Sequence, residues 1–300
     1  MSDLPVHGQP IILFAEECDR GILHEENQDS ALHIHIALGD LMIVADGIGE
    51  SMGGATASRM AVEYFYAHLA ALPQDYPADN ALREAAARAN SSIAVAARAP
   101  GSPHPRMGST VVAALLKPEG DITHAWIGHI GNSRAYLMRA GRLHRLTTDH
   151  SAVHTLLNRN LITPEEAKDH PDELVLTRCL GHQLDVEMEI EQLPLAVGDT
   201  LLLCSHGLWG FVPESEIQTA AANLSVEAAA HNLLELALTT GGHNNIGIEV
   251  ARLIAPPEIH HRIEHHPRTE HHPAAKWVLA IFLLAVAGLC VLAWLTFWSN

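Results

Sequence analysis

Cysteine is scarce in this sequence. Four of 300 residues are Cys (Cys18, Cys179, Cys204 and Cys290), and no two have the Cys-x-x-Cys spacing of a metal knuckle or redox pair. A disulfide framework and a zinc-finger cage are therefore excluded, and a reducing compartment is expected. Basic residues are also few. Eighteen Lys and Arg stand against 35 Asp and Glu, for a formal net charge of -17. Such a surface repels phosphate backbones, so nucleic acid is not an expected partner. Residues 1–10 lack the apolar stretch of a secretory signal, and no signal peptide is expected. The chain also lacks internal repeats. Its one glycine-rich loop, at residues 49–54, has no following lysine and so is no P-loop.

The sequence does have one long uncharged run, at residues 278–298. As a helix it would extend roughly 31 Å at ~1.5 Å per residue, the thickness of a bilayer core. Trp277 flanks one end, with Trp294 and Trp298 at the other, and Lys276, Arg268 and Arg262 precede it. The expectation is a transmembrane helix at 276–298 with the large N-terminal part on the cytoplasmic side of a bacterial inner membrane. Residues 255–275 read as a linker, rich in proline and in paired histidines (His260-His261, His265-His266, His271-His272). A solvated spacer is the expected role; imidazoles titrating near pH 6–7 leave a pH-responsive segment as the alternative.

Residues 1–254 mix strand and helix signals. Short β-branched runs at 11–16, 34–38 and 41–45 predict strands, the last two joined as a hairpin at Gly39. Alanine-rich helical periodicity marks 56–72 and 81–99. Further strands are predicted at 110–116, 122–127, 135–139, 201–204 and 246–253. A helix is predicted at 226–240, stopped by Gly241. Thr163-Pro164-Glu165-Glu166 is a helix start of the capping-box kind. Grouped rather than alternating elements favour an α+β fold over a doubly wound sheet. Asp149-His150-Ser151 are adjacent and cannot converge as a catalytic triad, so capping is the expected role there.

Seven segments, in order, carry a resemblance. They are Gly21-Ile22-Leu23-His24-Glu25-Glu26-Asn27-Gln28-Asp29, Val44-Ala45-Asp46-Gly47-Ile48-Gly49, Gly108-Ser109-Thr110, Ile130-Gly131-Asn132-Ser133-Arg134, Leu146-Thr147-Thr148-Asp149, Gly198-Asp199 through Ser205-His206-Gly207, and Gly241-Gly242-His243-Asn244-Asn245. Together they resemble the PP2C-type (PPM) metal-dependent protein Ser/Thr phosphatases in their bacterial single-domain form. That resemblance implies an α-β-β-α sandwich of two mainly antiparallel sheets, with a metal site at one end. There a metal-bound water would attack phosphorus in line. It implies partners of the phosphoprotein or Ser/Thr-kinase kind.

The sequence departs from the family pattern where the chemistry lies. Gln28 stands for a glutamate, His206 and Asn244 for aspartates, Asn132 for the aspartate linked to a third metal, and His24 for the phosphate-holding arginine. Asp46, the Gly47 carbonyl and the neighbouring Asp29 remain. The candidate catalytic residues are thus Asp46, Asp29 and His24. The candidate metal ligands are Asp46, Gly47, His206, Gln28 and Asn244, with Asn132 at the third-metal position. Each lost anion removes about 4 kcal/mol of attraction for a cation at ~4 Å with an effective dielectric near 20. The expected cofactor is therefore none, or a single weakly bound Mn, Mg or Zn ion. The leading expectation is a pseudophosphatase that binds a phosphoprotein or kinase at a membrane. The alternative is an active Mn- or Zn-dependent Ser/Thr phosphatase with a rebuilt site, since histidine and one carboxylate suit a single ion. A ligand-binding domain that shares only the fold is the third class.

Overall fold

The computed structural model describes residues 10–49, 52–120, 122–167, 170–222 and 224–256. The chain divides after Pro256 into two units. The predicted linker and membrane helix lie outside the described residues. Among the described residues no helix is long and apolar enough to cross a membrane.

In chain order the elements are β1 (Ile11–Asp19), β2 (Asp29–Ile36), β3 (Gly39–Ile48), α1 (Met52–Ala70), α2 (Ala78–Arg98), β4 (Gly108–Ser109), β5 (Val111–Glu119), β6 (Ile122–Ile130), β7 (Arg134–Arg139) and β8 (Arg142–Arg145). They continue with α3 (Ala152–Asn158), α4 (Pro164–Ala167), β9 (Glu189–Leu195), β10 (Thr200–Cys204), α5 (His206–Trp209), α6 (Glu214–Ala221), α7 (Val226–Thr240) and β11 (Ile246–Ile254). One sheet runs β1-β11-β10-β7-β8 and the other β2-β3-β5-β6-β9, with β4 beside β3; among the described residues these strands all pair antiparallel.

Period-two alternation sorts the side chains into layers. On β3, Leu41, Ile43 and Ala45 turn to α1 and α2, where they meet Phe65, Leu69, Leu82 and Ile93. Met42 and Val44 turn the other way, into the space between the sheets with Leu201, Leu203 and Leu253. On the far side Leu202, Ile248 and Val250 pack against Leu233 and Ala237 of α7. This is the expected α+β sandwich of two antiparallel sheets.

Local signals explain most element ends. The β2–β3 hairpin closes with Ile36 opposite Gly39, which holds φ 143°. Ser225 caps α7 by accepting from the N–H of Ala228. Thr163 and Glu166 form the reciprocal capping box, with Thr163 N to Glu166 Oε2 at 2.8 Å and Glu166 N to Thr163 Oγ1 at 3.2 Å, although the helix they start is only four residues long. Ser151 caps α3 through the N–H of His154 at 3.1 Å, which gives the Asp149-His150-Ser151 run its structural role.

Candidate functional site

The strand ends carry the motif residues to one end of the sandwich. Asp46 follows Met42 and Val44 on the interlayer face of β3, and the hairpin register sets it opposite Asp29 of β2. The backbone around it is tightly held. Asp46 N donates to Thr110 Oγ1 at 3.0 Å, Thr110 N to the Asp46 carbonyl at 2.8 Å, and Thr110 Oγ1 contacts Ser133 Oγ at 2.7 Å. Gly47 must be glycine. A Cβ there would lie 2.2 Å from the Gly54 carbonyl and 2.5 Å from that of Gln28, to which the Gly47 N–H donates at 3.0 Å.

From the other sheet, β10 ends at Cys204, Ser205 follows and α5 begins at His206, while β11 begins at Ile246, two residues after Asn244. Ser205 N donates to the Gly247 carbonyl at 3.0 Å, and Gly247 N to Ser205 Oγ at 2.9 Å. This reciprocal pair fixes the two turns side by side, leaving Asn244 Nδ2 3.3 Å from His206 Nδ1. Gly207 allows the approach, because a Cβ there would sit 1.9 Å from the Asn245 carbonyl.

Gln28, Asp46, Gly47, His206 and Asn244 therefore line one cleft of about 250 Å³, together with Asn132, Thr110, Ile48, Gly49, Leu174 and Leu176. All five sequence-predicted metal-ligand positions converge there, as does Asn132. Asp29 is buried beneath and does not line the cleft; its carboxylate oxygens have no hydrogen-bond partner. His24 is exposed and is likewise absent from the lining, so the side chain at the arginine position does not reach into the cleft.

Burial governs the electrostatics. It lifts Asp46 to about 6, against the lowering effect of the His206 backbone N–H. Burial, and then the charge of Asp46, hold Asp29 well above the usual carboxylate range. Burial, with Arg134 second, pushes His206 down to about 4, so its imidazole is neutral at pH 7. The ring is wedged edge-on against Trp209 and Phe211, with centroids at 4.7 and 5.8 Å, and its buried Nε2 has no partner.

This donor set does not fit a pair of hard dications. Among the described residues Asp46 is the only carboxylate on the cleft wall, and Gln28, His206, Asn244 and Asn132 are neutral. It does fit one ion that accepts imidazole nitrogen beside a carboxylate, an amide and a main-chain carbonyl.

Three features escaped the sequence reading. Asn245, beside Asn244, is a staple: its Oδ1 accepts from Gln28 N at 3.0 Å, and its Nδ2 donates to the carbonyls of Arg20 and Glu26 at 2.8 and 3.0 Å. The β1–β2 loop that presents Gln28 is thereby tied to the start of β11. Arg134 and Asp149 form a buried two-pronged ion pair at 2.9 and 2.6 Å, with the guanidinium 3.3 Å over the Trp209 ring. Leu174 and Leu176, on the stretch between α4 and β9, supply an apolar side of the cleft. The Arg134–Asp149 pair and Asn245 lie in motif segments and could be suspected from them; Leu174 and Leu176 carry no sequence signal.

Comparison with known proteins bears on the same region. Residues 24–238 match the profile of the family described as Protein phosphatase 2C. The serine/threonine protein phosphatase PstP of Mycobacterium tuberculosis is 36% identical over 248 residues, covering 81% of this chain and 45% of that protein. The chain thus spans about half the length of that relative. The serine/threonine phosphatase stp of Listeria monocytogenes is 33% identical over 235 residues, covering 77% of this chain and 91% of its own length. Among solved structures, the catalytic domain of PstP in complex with 2 manganese ions superposes with a TM-score of 0.72 at 33% identity, over 82% of this chain and 100% of that one. PppA of Pseudomonas aeruginosa gives 0.69 at 28% identity, over 83% and 99%.

Proposed function

This chain belongs to the protein phosphatase 2C family, and from that premise we propose that it is a protein Ser/Thr phosphatase with a rebuilt metal centre. Its substrate class is phosphoserine or phosphothreonine in proteins. The observation that carries this is the convergence of Asp46, the Gly47 carbonyl, His206, Asn244 and Gln28 on one cleft. Relatives of 33 to 36% identity that are named Ser/Thr phosphatases weigh the same way, against the loss of activity that the charge count alone favours.

Asp46, His206, Asn244 and the Gly47 carbonyl would hold a single Mn- or Zn-class ion, which when bound makes a water acidic enough to ionise near neutral pH. The chain's own residues do the rest. Asp46 supplies the one anion of the cleft wall, and its rigid backbone fixes where that charge sits. The neutral His206 offers a lone pair without having to shed a proton. The amides of Gln28 and Asn132 offer neutral N–H donors to phosphate oxygens, where the family pattern uses an arginine. Leu174 and Leu176 give one side of the cleft an apolar lining.

The test is turnover of a phosphothreonine peptide by the full chain, with Mg²⁺, Mn²⁺ and Zn²⁺ supplied singly. Hydrolysis with Mn²⁺ or Zn²⁺ that Asp46→Ala lowers at least about a hundredfold is expected. No turnover above background with any ion would sink it. A second reading would then stand, a phosphoprotein- or kinase-binding module without turnover. The observation favouring it is that, among the described residues, the cleft wall carries a single carboxylate. In either case we propose that residues 276–298 tether the domain to the cytoplasmic face of a membrane; extraction of the chain by alkaline carbonate would refute the tether.

A further inference from the structure

A second cluster of metal-binding side chains lies where the two sheets face each other across β1, β11 and β2. On β11, Ala251 and Leu253 turn into the apolar layer between the sheets, and period two puts Glu249 on the same face. Glu249 is 0% exposed, and neither carboxylate oxygen has a hydrogen-bond partner. An ionised carboxylate in such a layer costs several kcal/mol unless a cation compensates it or it takes up a proton.

Two side chains stand at that carboxylate. His33 Nδ1 lies 3.4 Å from Glu249 Oε2 and 3.7 Å from Glu16 Oε2. Glu16 and Glu249 are directly opposite in the β1–β11 register, a pairing that repels when both are ionised unless a cation joins it. Phe14 stacks on the His33 ring at 5.3 Å and 9°, which orients the imidazole. One donor atom from each of the three residues lies within 4.8 Å of the others. Two ligands of a tetrahedral zinc ion, each at ~2.0–2.1 Å, are about 3.3 Å apart, so these separations need only a small adjustment.

We propose that Glu16, His33 and Glu249 bind one divalent transition-metal ion of the zinc class, at a site separate from the phosphatase cleft. One imidazole with two carboxylates suits such ions better than Mg²⁺ or Ca²⁺, which take all-oxygen shells. Glu16 and His33 side chains are 36% and 38% exposed, which gives an ion entry and leaves room for water as a further ligand. Among the described residues no lysine or arginine pairs with either carboxylate. This distinguishes the cluster from His129, His150 and Glu189, where the Arg178 guanidinium already stands 2.7 Å from Glu189 and 3.4 Å from His150. His33 is four residues from Asp29 along β2, about 13 Å at ~3.3 Å per residue. The ion would join β1 and β11 of one sheet to β2 of the other, as a clamp on the open edge of the sandwich.

Equilibrium dialysis of the full chain against zinc chloride tests this, on the parent and on Glu16→Ala, His33→Ala, Glu249→Gln and Asp46→Ala. Histidines in the C-terminal segment add the same background to all five proteins, so the differences are read. Each of the first three is expected to lose one zinc equivalent, or to weaken it at least about tenfold. It should also lose the part of the zinc-induced rise in melting temperature that this ion gives, while Asp46→Ala, which would lose only what the cleft binds, keeps that equivalent and that part of the rise. Glu16 and His33 are partly exposed, so their variants keep the test sound even if Glu249→Gln does not fold. Unchanged zinc binding and melting shift in Glu16→Ala and His33→Ala would overturn the proposal. So would a zinc equivalent lost only with Asp46→Ala, which would assign the ion to the cleft. The outcome is independent of phosphatase turnover.

Discussion

Asn244→Asp puts back one anion at the cleft and isolates charge as the variable, because the amide and the carboxylate have nearly the same shape. Asn244 is half-buried, shares the cleft wall with Asp46 and Gly47, and has its amide nitrogen 3.3 Å from the neutral imidazole of His206. At ~4 Å from a bound cation and an effective dielectric near 20, an added negative charge contributes about 4 kcal/mol. Part of that is lost, since the new carboxylate must ionise beside Asp46, which burial already lifts to about 6. If that costs ~1–2 kcal/mol, some 2–3 kcal/mol is left, or a gain of roughly 30- to 150-fold in Mn²⁺ affinity. The assay is Mn²⁺ titration of the full chain at pH 7.5, followed by the electron-resonance signal of the free ion. The gain should shrink as pH falls through about 6, where protons compete for Asp46. A folded variant that binds Mn²⁺ within threefold of the parent refutes the reasoning. Residue 244 would then not face the same ion as Asp46, and the charge deficit would not be what sets metal affinity here.

The remaining predictions concern the supports of the cleft. Asp149→Asn leaves the Arg134 guanidinium, 9% exposed, with only the 3.8 Å contact to Glu214 as ionic compensation; a loss of about 3–5 kcal/mol in urea unfolding is expected, and a loss below ~1 would contradict the pair's role. Asn245→Ala removes three hydrogen bonds at a buried site, so a loss of about 2–4 kcal/mol and weaker metal binding should appear together. Were metal binding unaffected, the β1–β2 loop would hold Gln28 without its staple. His150 is pushed down to about 4 by burial and then by His129, so between pH 6.5 and 4 the folded state holds fewer protons than the unfolded chain. Stability from this group is therefore full above pH 6.5 and is lost as pH falls through that window. His150→Asn should flatten the drop in melting temperature from pH 7 to 5, and an identical drop would dismiss His150 as the cause.

The interlayer face explains both what the sequence disclosed and what it concealed. Strands with strong β-branched or apolar runs were readable: 11–16, 34–38, 41–45 and 246–253 all fall within strands β1, β2, β3 and β11 apart from Ala37 and Leu38, which belong to the hairpin turn, and β3 and β11 are buried on both faces. The helix at 226–240 has the bounds that its apolar pattern and Gly241 suggested. By contrast β9, Glu-Ile-Glu-Gln-Leu-Pro-Leu, is a sheet-edge strand whose acidic residues and Pro194 hide its strand character, and α6 is too short for helical periodicity to show. The metal-ligand positions were recognisable as motifs because backbone demands accompany them: Gly47 and Gly207 are fixed by carbonyls that leave no room for a Cβ. Exposure of His24 carried no such mark, since nothing in a loop sequence states which way its side chain turns. Glu249 shows the converse. In Ile-Gly-Ile-Glu-Val-Ala-Arg-Leu-Ile a lone glutamate reads as a surface position on a strand, and only the second sheet, brought over it by β2, makes it a buried carboxylate facing a histidine. Side chains whose meaning depends on the opposite sheet are thus the ones a linear reading misses. They are also where this chain has gathered its acids, with Asp46 and Asp29 at the cleft end and Glu16 and Glu249 at the edge. An ion at the edge would fix the spacing of β2 against β11, the two strands that lead to Gln28 and Asn244 respectively, so its removal should loosen the cleft without touching a cleft residue.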